Sequence, residues 1–193
     1  MKEKLLAIWK KTEYLHGIIY FLVVLFCCHY FWKFTVIGDE SDTVVTFLGL
    51  NISAPFIWLT NNLATAVIYL LKNWLNLSFA VHDNTIFFDN HYSISIIWAC
   101  SGLKQMYIYF CVIAFYRGPW LQKLWYIPMG LMVVYLFNIF RITAISYIAY
   151  NNRETFDFLH NHLFKYLFYG VIFLLWVVWE HKFVLKRQQK AVS

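Results

Sequence analysis

The feature that most constrains this chain is a series of apolar runs, each near the thickness of a bilayer and each closed by charged or polar residues. The run from Tyr14 to about Phe34 is long enough to cross ~30 Å of hydrocarbon. Further runs cover about 100–116, 124–149 and 163–179. With 61% hydrophobic side chains and only 13% charged, the 193 residues are too apolar for an ordinary soluble domain. The expectation is an all-α integral membrane protein, a single domain over 1–193 with about four transmembrane helices.

Charge orients the runs. The formal net charge of +6 does not point to nucleic acid, because the basic residues gather at the ends of the apolar runs rather than on a soluble face. Lys2, Lys4, Lys10 and Lys11 precede the first run, Arg117 and Lys123 bracket a short turn, and Lys182, Lys186, Arg187 and Lys190 follow the last. With these three regions in the cytoplasm, ten of the sixteen Lys and Arg residues lie inside, as the positive-inside rule asks. No small-residue cleavage site follows the first run, which reads as a span and not as a removed signal peptide. The acidic stretch 39–42, with Asp83, Asp89, Glu154 and Asp157, then faces outward. Such a protein sits multi-pass in the cytoplasmic (inner) membrane, with lipid as its solvent.

The stretch 55–79 is apolar but carries Thr60, Asn61, Asn62, Thr65, Lys72, Asn73 and Asn76, and reads as an outer-surface interfacial or re-entrant helix. The first run ends outside and the run at 100 begins there, so what lies between crosses zero or two times. A hairpin over about 85–98 follows. Asp89-Asn90 suits a tight two-residue turn, and Tyr92, Ile94, Ile96 and Trp98 alternate with Ser93 and Ser95.

That hairpin delivers the chain into Cys100. A cysteine there, beside Gly102 and with Lys104 just beyond, is a candidate nucleophile at a helix N-terminus, where the macrodipole and an ammonium favour thiolate. Read alone, Cys100 is better explained as a small buried apolar side chain than as a catalyst. The four cysteines contain no Cys-x-x-Cys pair, which speaks against a dithiol centre or a four-thiolate metal site. Cys111 lies about 16 Å along the same helix, beyond disulfide reach.

Arg141 is the more informative residue. An arginine inside an apolar span costs on the order of 3 kcal/mol and is seldom there without a partner. It falls about 12 Å below the outer end of its run, within snorkelling distance of the interface. Asn138, three residues earlier, is placed to orient the guanidinium. The structural alternative pairs Arg141 with backbone carbonyls or lipid phosphate. His160 and His162 stand just before the last run, also outside. A metal site from Asp157, His160 and His162 is disfavoured, because His-x-His on a helix splays its ligands, and no cofactor is implied.

These residues carry a resemblance. Ala-Cys-Ser-Gly-Leu at 99–103, Asn-x-x-Arg-Ile at 138–142 and a histidine at the start of a final aromatic-rich span resemble the signature of the exosortase and archaeosortase family. The similarity covers mainly residues 84–175. It is greatest to the compact exosortases of the Bacteroidetes type, whose His-[Asp/Asn]-x-x-Phe-Lys pattern is matched by His160 to Lys165 and favours His160 over His162. The resemblance implies a membrane-embedded cysteine protease or transpeptidase. Its partners would be secreted proteins ending in a sorting signal, composed of a short motif, a transmembrane helix and a basic tail.

By the same resemblance, Cys100 forms an acyl-enzyme thioester, His160 moves the protons, and Arg141 stabilises the oxyanion or the thiolate. The acceptor is an unspecified nucleophile, with water as the hydrolytic alternative. The competing reading is a non-catalytic membrane subunit, in which Arg141, Asn138 and Lys104 are polar contacts between helices.

Overall fold

A computed structural model describes residues 2–38, 44–90, 92–151 and 163–185, with side chains from Leu15 onward. His160, His162 and Asp157 lie outside the described residues.

The apolar runs form helices. Helix α1 spans Lys2–Thr35, α2 Ser53–Asn73, α3 Leu103–Phe115, α4 Trp120–Asn151 and α5 Phe164–Trp179, the last continuing as a wider π-type turn over Glu180–Leu185. Four helical segments are long and apolar enough to cross a membrane: Leu15–Thr35, Ser53–Asn73, Trp120–Asn151 and Phe164–Leu185. The number agrees with expectation, but the membership differs, because the stretch at 53–73 qualifies and α3 does not. The cause is the environment of α3. Its 13 residues rise only about 20 Å. Ile108, Tyr109, Val112 and Ile113 are nevertheless fully buried, since α3 packs among α1, α4 and α5. A helix wrapped by protein need not match the hydrocarbon thickness. Its flanking turns complete the path between the ends of the bundle.

Two cores divide the molecule. The first joins α1, α3 and α5 to the N-terminal part of α4 through Phe21, Ile108, Tyr126, Val134, Phe168 and Trp176. The second joins α2 and a small sheet to the C-terminal part of α4, through Leu63, Val67, Leu71, Ile86, Phe88 and Ile142. Helix α4 serves both because its 32 residues extend about 48 Å, well beyond the ~30 Å of a hydrocarbon layer. A cap of α2 and strands therefore stands at one end of the bundle.

The cap contains more strand than expected. Strands β1 (Val36–Gly38), β2 (Val45–Phe47) and β3 (Leu50–Asn51) form an antiparallel sheet between α1 and α2. Leu48 and Gly49 both have positive φ, the geometry of a tight hairpin turn. The helix expected over 55–79 stops at Asn73. The chain then forms β4 (Phe79–His82), which pairs with β5 (Thr85–Phe88), which pairs with β6 (Ser93–Ser95).

The Asp-Asn dipeptide at 83–84 makes the two-residue turn, with Asp83 at φ +52°. The turn expected at Asp89-Asn90 is instead one residue longer. Phe88 N–H donates to the Tyr92 carbonyl at 2.8 Å, and Ile86 stands opposite Ile94. Asn90 decides this. Its Oδ1 accepts from Tyr92 N–H at 3.1 Å and its Nδ2 donates to the Tyr150 carbonyl at 2.9 Å, fastening the loop to the end of α4. A one-residue shift of register exchanges the faces of a strand. The observed register puts Tyr92, Ile94 and Ile96 on the face that meets α2 and α4.

At the opposite end, the turn at Arg117 is locked to α5. Arg117 Nη2 donates to Glu180 Oε1 at 3.0 Å, with Glu180 only 2% exposed. Trp179 Nε1 donates to the Arg117 carbonyl at 3.1 Å, and Lys123 Nζ caps the carbonyls of Ala114 and Tyr116 at the end of α3. Replacement Arg117→Ala leaves a buried carboxylate without its cation. It is expected to destabilise the folded protein by about 2 kcal/mol, read as a lower unfolding temperature of the full chain in detergent.

Candidate active site

Cys100 closes a single 3-10 turn, Trp98–Cys100, at the junction of β6 and α3. The expectation put Trp98 in the strand, but the strand ends at Ser95. Cys100 N–H donates to the Ile97 carbonyl at 2.9 Å and Ser101 N–H to the Trp98 carbonyl at 3.0 Å, so the backbone is already curling before α3 begins. Gly102 then reverses direction at φ +82°, a left-handed conformation that glycine enters without steric cost. Cys100 is therefore held in the turn ahead of α3, and not on the first turn of the helix itself. It forms no disulfide and is half-buried.

Asn138 ties this turn to α4. It has no exposed surface, and its Nδ2 donates to the Cys100 carbonyl at 2.7 Å. Its Oδ1 faces Arg141 Nη1 at 3.5 Å, a long contact one helical turn away. One amide thus holds the backbone of Cys100 and orients the guanidinium, as the i, i+3 spacing anticipated for Arg141. Gly102 is required a second time here. A Cβ at that position would sit 2.8 Å from Asn138 Nδ2.

Through Asn138, Arg141 is brought to the corner that holds the Cys100 turn, within range for its charge to be felt by a thiolate there. Its guanidinium carbon lies 5.5 Å from the centre of the Phe168 ring, a cation-π contact supplied by the first half of α5. Nε is buried and has no hydrogen-bond partner among the described residues.

Lys104, on the first turn of α3, lies within electrostatic range of Lys33 of α1 and Lys165 of α5. His160 and His162 precede Leu163 in the sequence and lie outside the described residues. Leu163 leads directly into the helix that supplies Phe168. Among the described residues, no cluster of three His, Cys, Asp or Glu could hold a metal ion.

Sequence reasoning missed Ser146. It is fully buried on α4, and its hydroxyl has no partner among the described residues. Ser146 lines a cavity of about 240 Å³ whose wall includes Cys100. Its distance from Arg141 along α4, five residues, carries no motif that would single it out.

The fold and this site define a multi-pass membrane protein with a cysteine and an arginine from separate helices brought to one end of a helical bundle. The family model for transmembrane exosortases (Exosortase_EpsH) matches residues 43–178, more than half of the chain, and the protein belongs to that family. The match includes Cys100, Asn138, Arg141 and His160. A search of curated proteins found no match. A search of solved structures found none either.

Replacement Gly102→Ala forces a left-handed residue to carry a Cβ and pushes on Asn138. It is expected to cost about 1–2 kcal/mol and to change the rate of Cys100 alkylation at least threefold, measured on the full chain in membranes.

Proposed function

We propose that this protein is a cysteine transpeptidase that processes secreted proteins at a C-terminal sorting signal, from the outer face of the cytoplasmic membrane. The observation that carries the reading is the junction of Cys100, Asn138 and Arg141 at one end of the bundle of a transmembrane exosortase.

The depth of the site suits the task. The turn at Arg117 and the one at Gly102 lie at opposite ends of α3. With the basic Arg117 end inside, Cys100 lies at the outer end. A substrate helix whose basic tail is retained in the cytoplasm presents its outer end at the level of Cys100. Helix α2 supports the interfacial assignment of the cap. It packs through Leu63, Val67 and Leu71 against the sheet and the far half of α4, while Asn61, Asn62, Thr65, Lys72 and Asn73 are exposed. An exposed polar face of that kind is unfavourable in hydrocarbon.

In the reaction, the Cys100 thiolate attacks the scissile carbonyl, and the developing oxyanion is met by Arg141, whose Nε is unspent and whose plane is held by Asn138 and Phe168. Collapse breaks the C–N bond and leaves a thioester on Cys100, the departing amine taking a proton from His160. The acceptor then gives a proton to His160 and attacks the thioester. An amine acceptor yields transpeptidation and water yields hydrolysis, and the thiolate is regenerated in both.

Processing of a co-expressed protein that ends in an apolar span and a basic tail tests this. Cys100→Ala is expected to abolish cleavage at unchanged enzyme level. Arg141→Lys is expected to lower the rate at least tenfold, because the planar donor fork is lost while the charge remains. Processing by Cys100→Ala at the wild-type rate would overturn the mechanism and leave the protein as a non-catalytic membrane subunit.

A further inference from the structure

The sheet that leads into Cys100 is open on one side. Its order is β4-β5-β6, so β6 is an edge strand. Along β6 the backbone groups alternate in direction. Phe88 bonds to Tyr92 and Ile96 bonds to Asn84, which places the bonded pair between them at Ile86 and Ile94. The N–H and C=O groups of Ser93 and Ser95 therefore turn away from β5, toward the open edge. Both serines are exposed.

A cavity of about 240 Å³ runs beside this strand. It begins at Tyr92, ends at Cys100, and has Ile142, Ile145 and Ser146 of α4 as its floor. Among the described residues, no charged side chain lines it. The one polar side-chain group on the floor is the Ser146 hydroxyl, fully buried and without a partner among the described residues. Unsatisfied edge backbone, an apolar floor with a buried hydroxyl, and a thiol at the far end coincide in one groove.

We propose that β6 receives the substrate's recognition segment as an added strand, with the residues N-terminal to the scissile bond laid along Ser93 and Ser95 and a small uncharged side chain seated over Ser146. This rests on the reading of Cys100 as the nucleophile. The occupant follows from geometry. The groove lies in the cap, alongside the part of α4 that extends past the bundle, whereas the substrate's span occupies the bilayer. Only the portion of the substrate preceding the scissile bond reaches β6. Strand addition takes affinity from backbone bonds to an edge and specificity from alternate side chains. That arrangement presents an extended peptide to Cys100, five residues beyond Ser95.

Replacement Ser95→Pro tests the edge. Proline is tolerated on an edge strand where the lost N–H faces outward, and the pairing of β6 with β5 does not use that group. The hydroxyl contact of Ser95 with Thr85 at 2.9 Å is exposed and of small weight. Two quantities are measured on the full chain in membranes, with Cys100→Ala alongside: processing of a co-expressed secreted protein that wild type cleaves, and alkylation of Cys100 by an impermeant maleimide. Processing is expected to fall at least tenfold with alkylation within twofold of wild type. Processing at the wild-type rate would overturn strand addition while leaving Cys100 as nucleophile. Equal processing by wild type and Cys100→Ala would remove both.

If Ser95→Pro disturbs alkylation, cross-linking decides. In a Ser95→Cys, Cys100→Ala chain, single cysteines are walked through the residues preceding the substrate's cleavage site. Disulfide yield peaking at every second position is expected of a strand. Uniform yield, or none, would overturn the proposal.

Discussion

The site depends on one buried amide. Asn138 donates to the Cys100 carbonyl and offers its oxygen to Arg141, from a position with no exposed surface. In a low-dielectric interior such a group is costly when unpaired and stabilising when paired, so it specifies one arrangement of its neighbours. Here the neighbours are the turn that carries a thiol and the cation that faces it. Gly102 completes the arrangement by leaving Asn138 the space that a side chain would take. The Asn-x-x-Arg spacing and the Cys-x-Gly spacing are thus two halves of one contact between α4 and the turn before α3.

Helix α4 turns that contact into an active-site geometry. It is long enough to belong to both cores, and Asn138 and Arg141 fall where one core gives way to the other. Below them the bundle of α1, α3, α4 and α5 is apolar and aromatic. Above them α2 and the strands build a cap. An arginine at this boundary keeps its stem in an apolar setting beside Phe168 and brings its head to the level of the half-buried thiol. The far end of α3 is held independently, by Arg117 on Glu180 and by Lys123 on the helix's last carbonyls. The turn at Cys100 therefore has a fixed support beneath it and Asn138 beside it.

Membership of the transmembrane exosortase family gives this arrangement a chemical context, and the edge of β6 gives it a direction. On the proposed reading, a substrate held at one end by a membrane helix and at the other by a sheet edge would have its connecting bond stretched across the thiol. Neither hold requires a charged pocket, in keeping with the uncharged lining beside Cys100.

Much was legible in the chain itself. The apolar runs dictated a membrane bundle because nothing else buries them, the alternation at 92–96 marked a strand, and Cys100, Asn138 and Arg141 stood out because their chemistry is costly or reactive where it lies. Local pattern was insufficient where two similar signals competed. Asp-Asn occurs at 83–84 and at 89–90, and only the first makes the two-residue turn, because the second spends Asn90 on the end of α4. Ser146 carried no signal at all. Residue types and spacings determined which groups could react and which runs are apolar enough to cross a membrane, since polarity and helical rise are local properties. Which cation meets the thiol, which strand edge stays open and which hydroxyl lies beneath the groove were decided by tertiary structure, because each depends on contacts between segments that are distant in the chain.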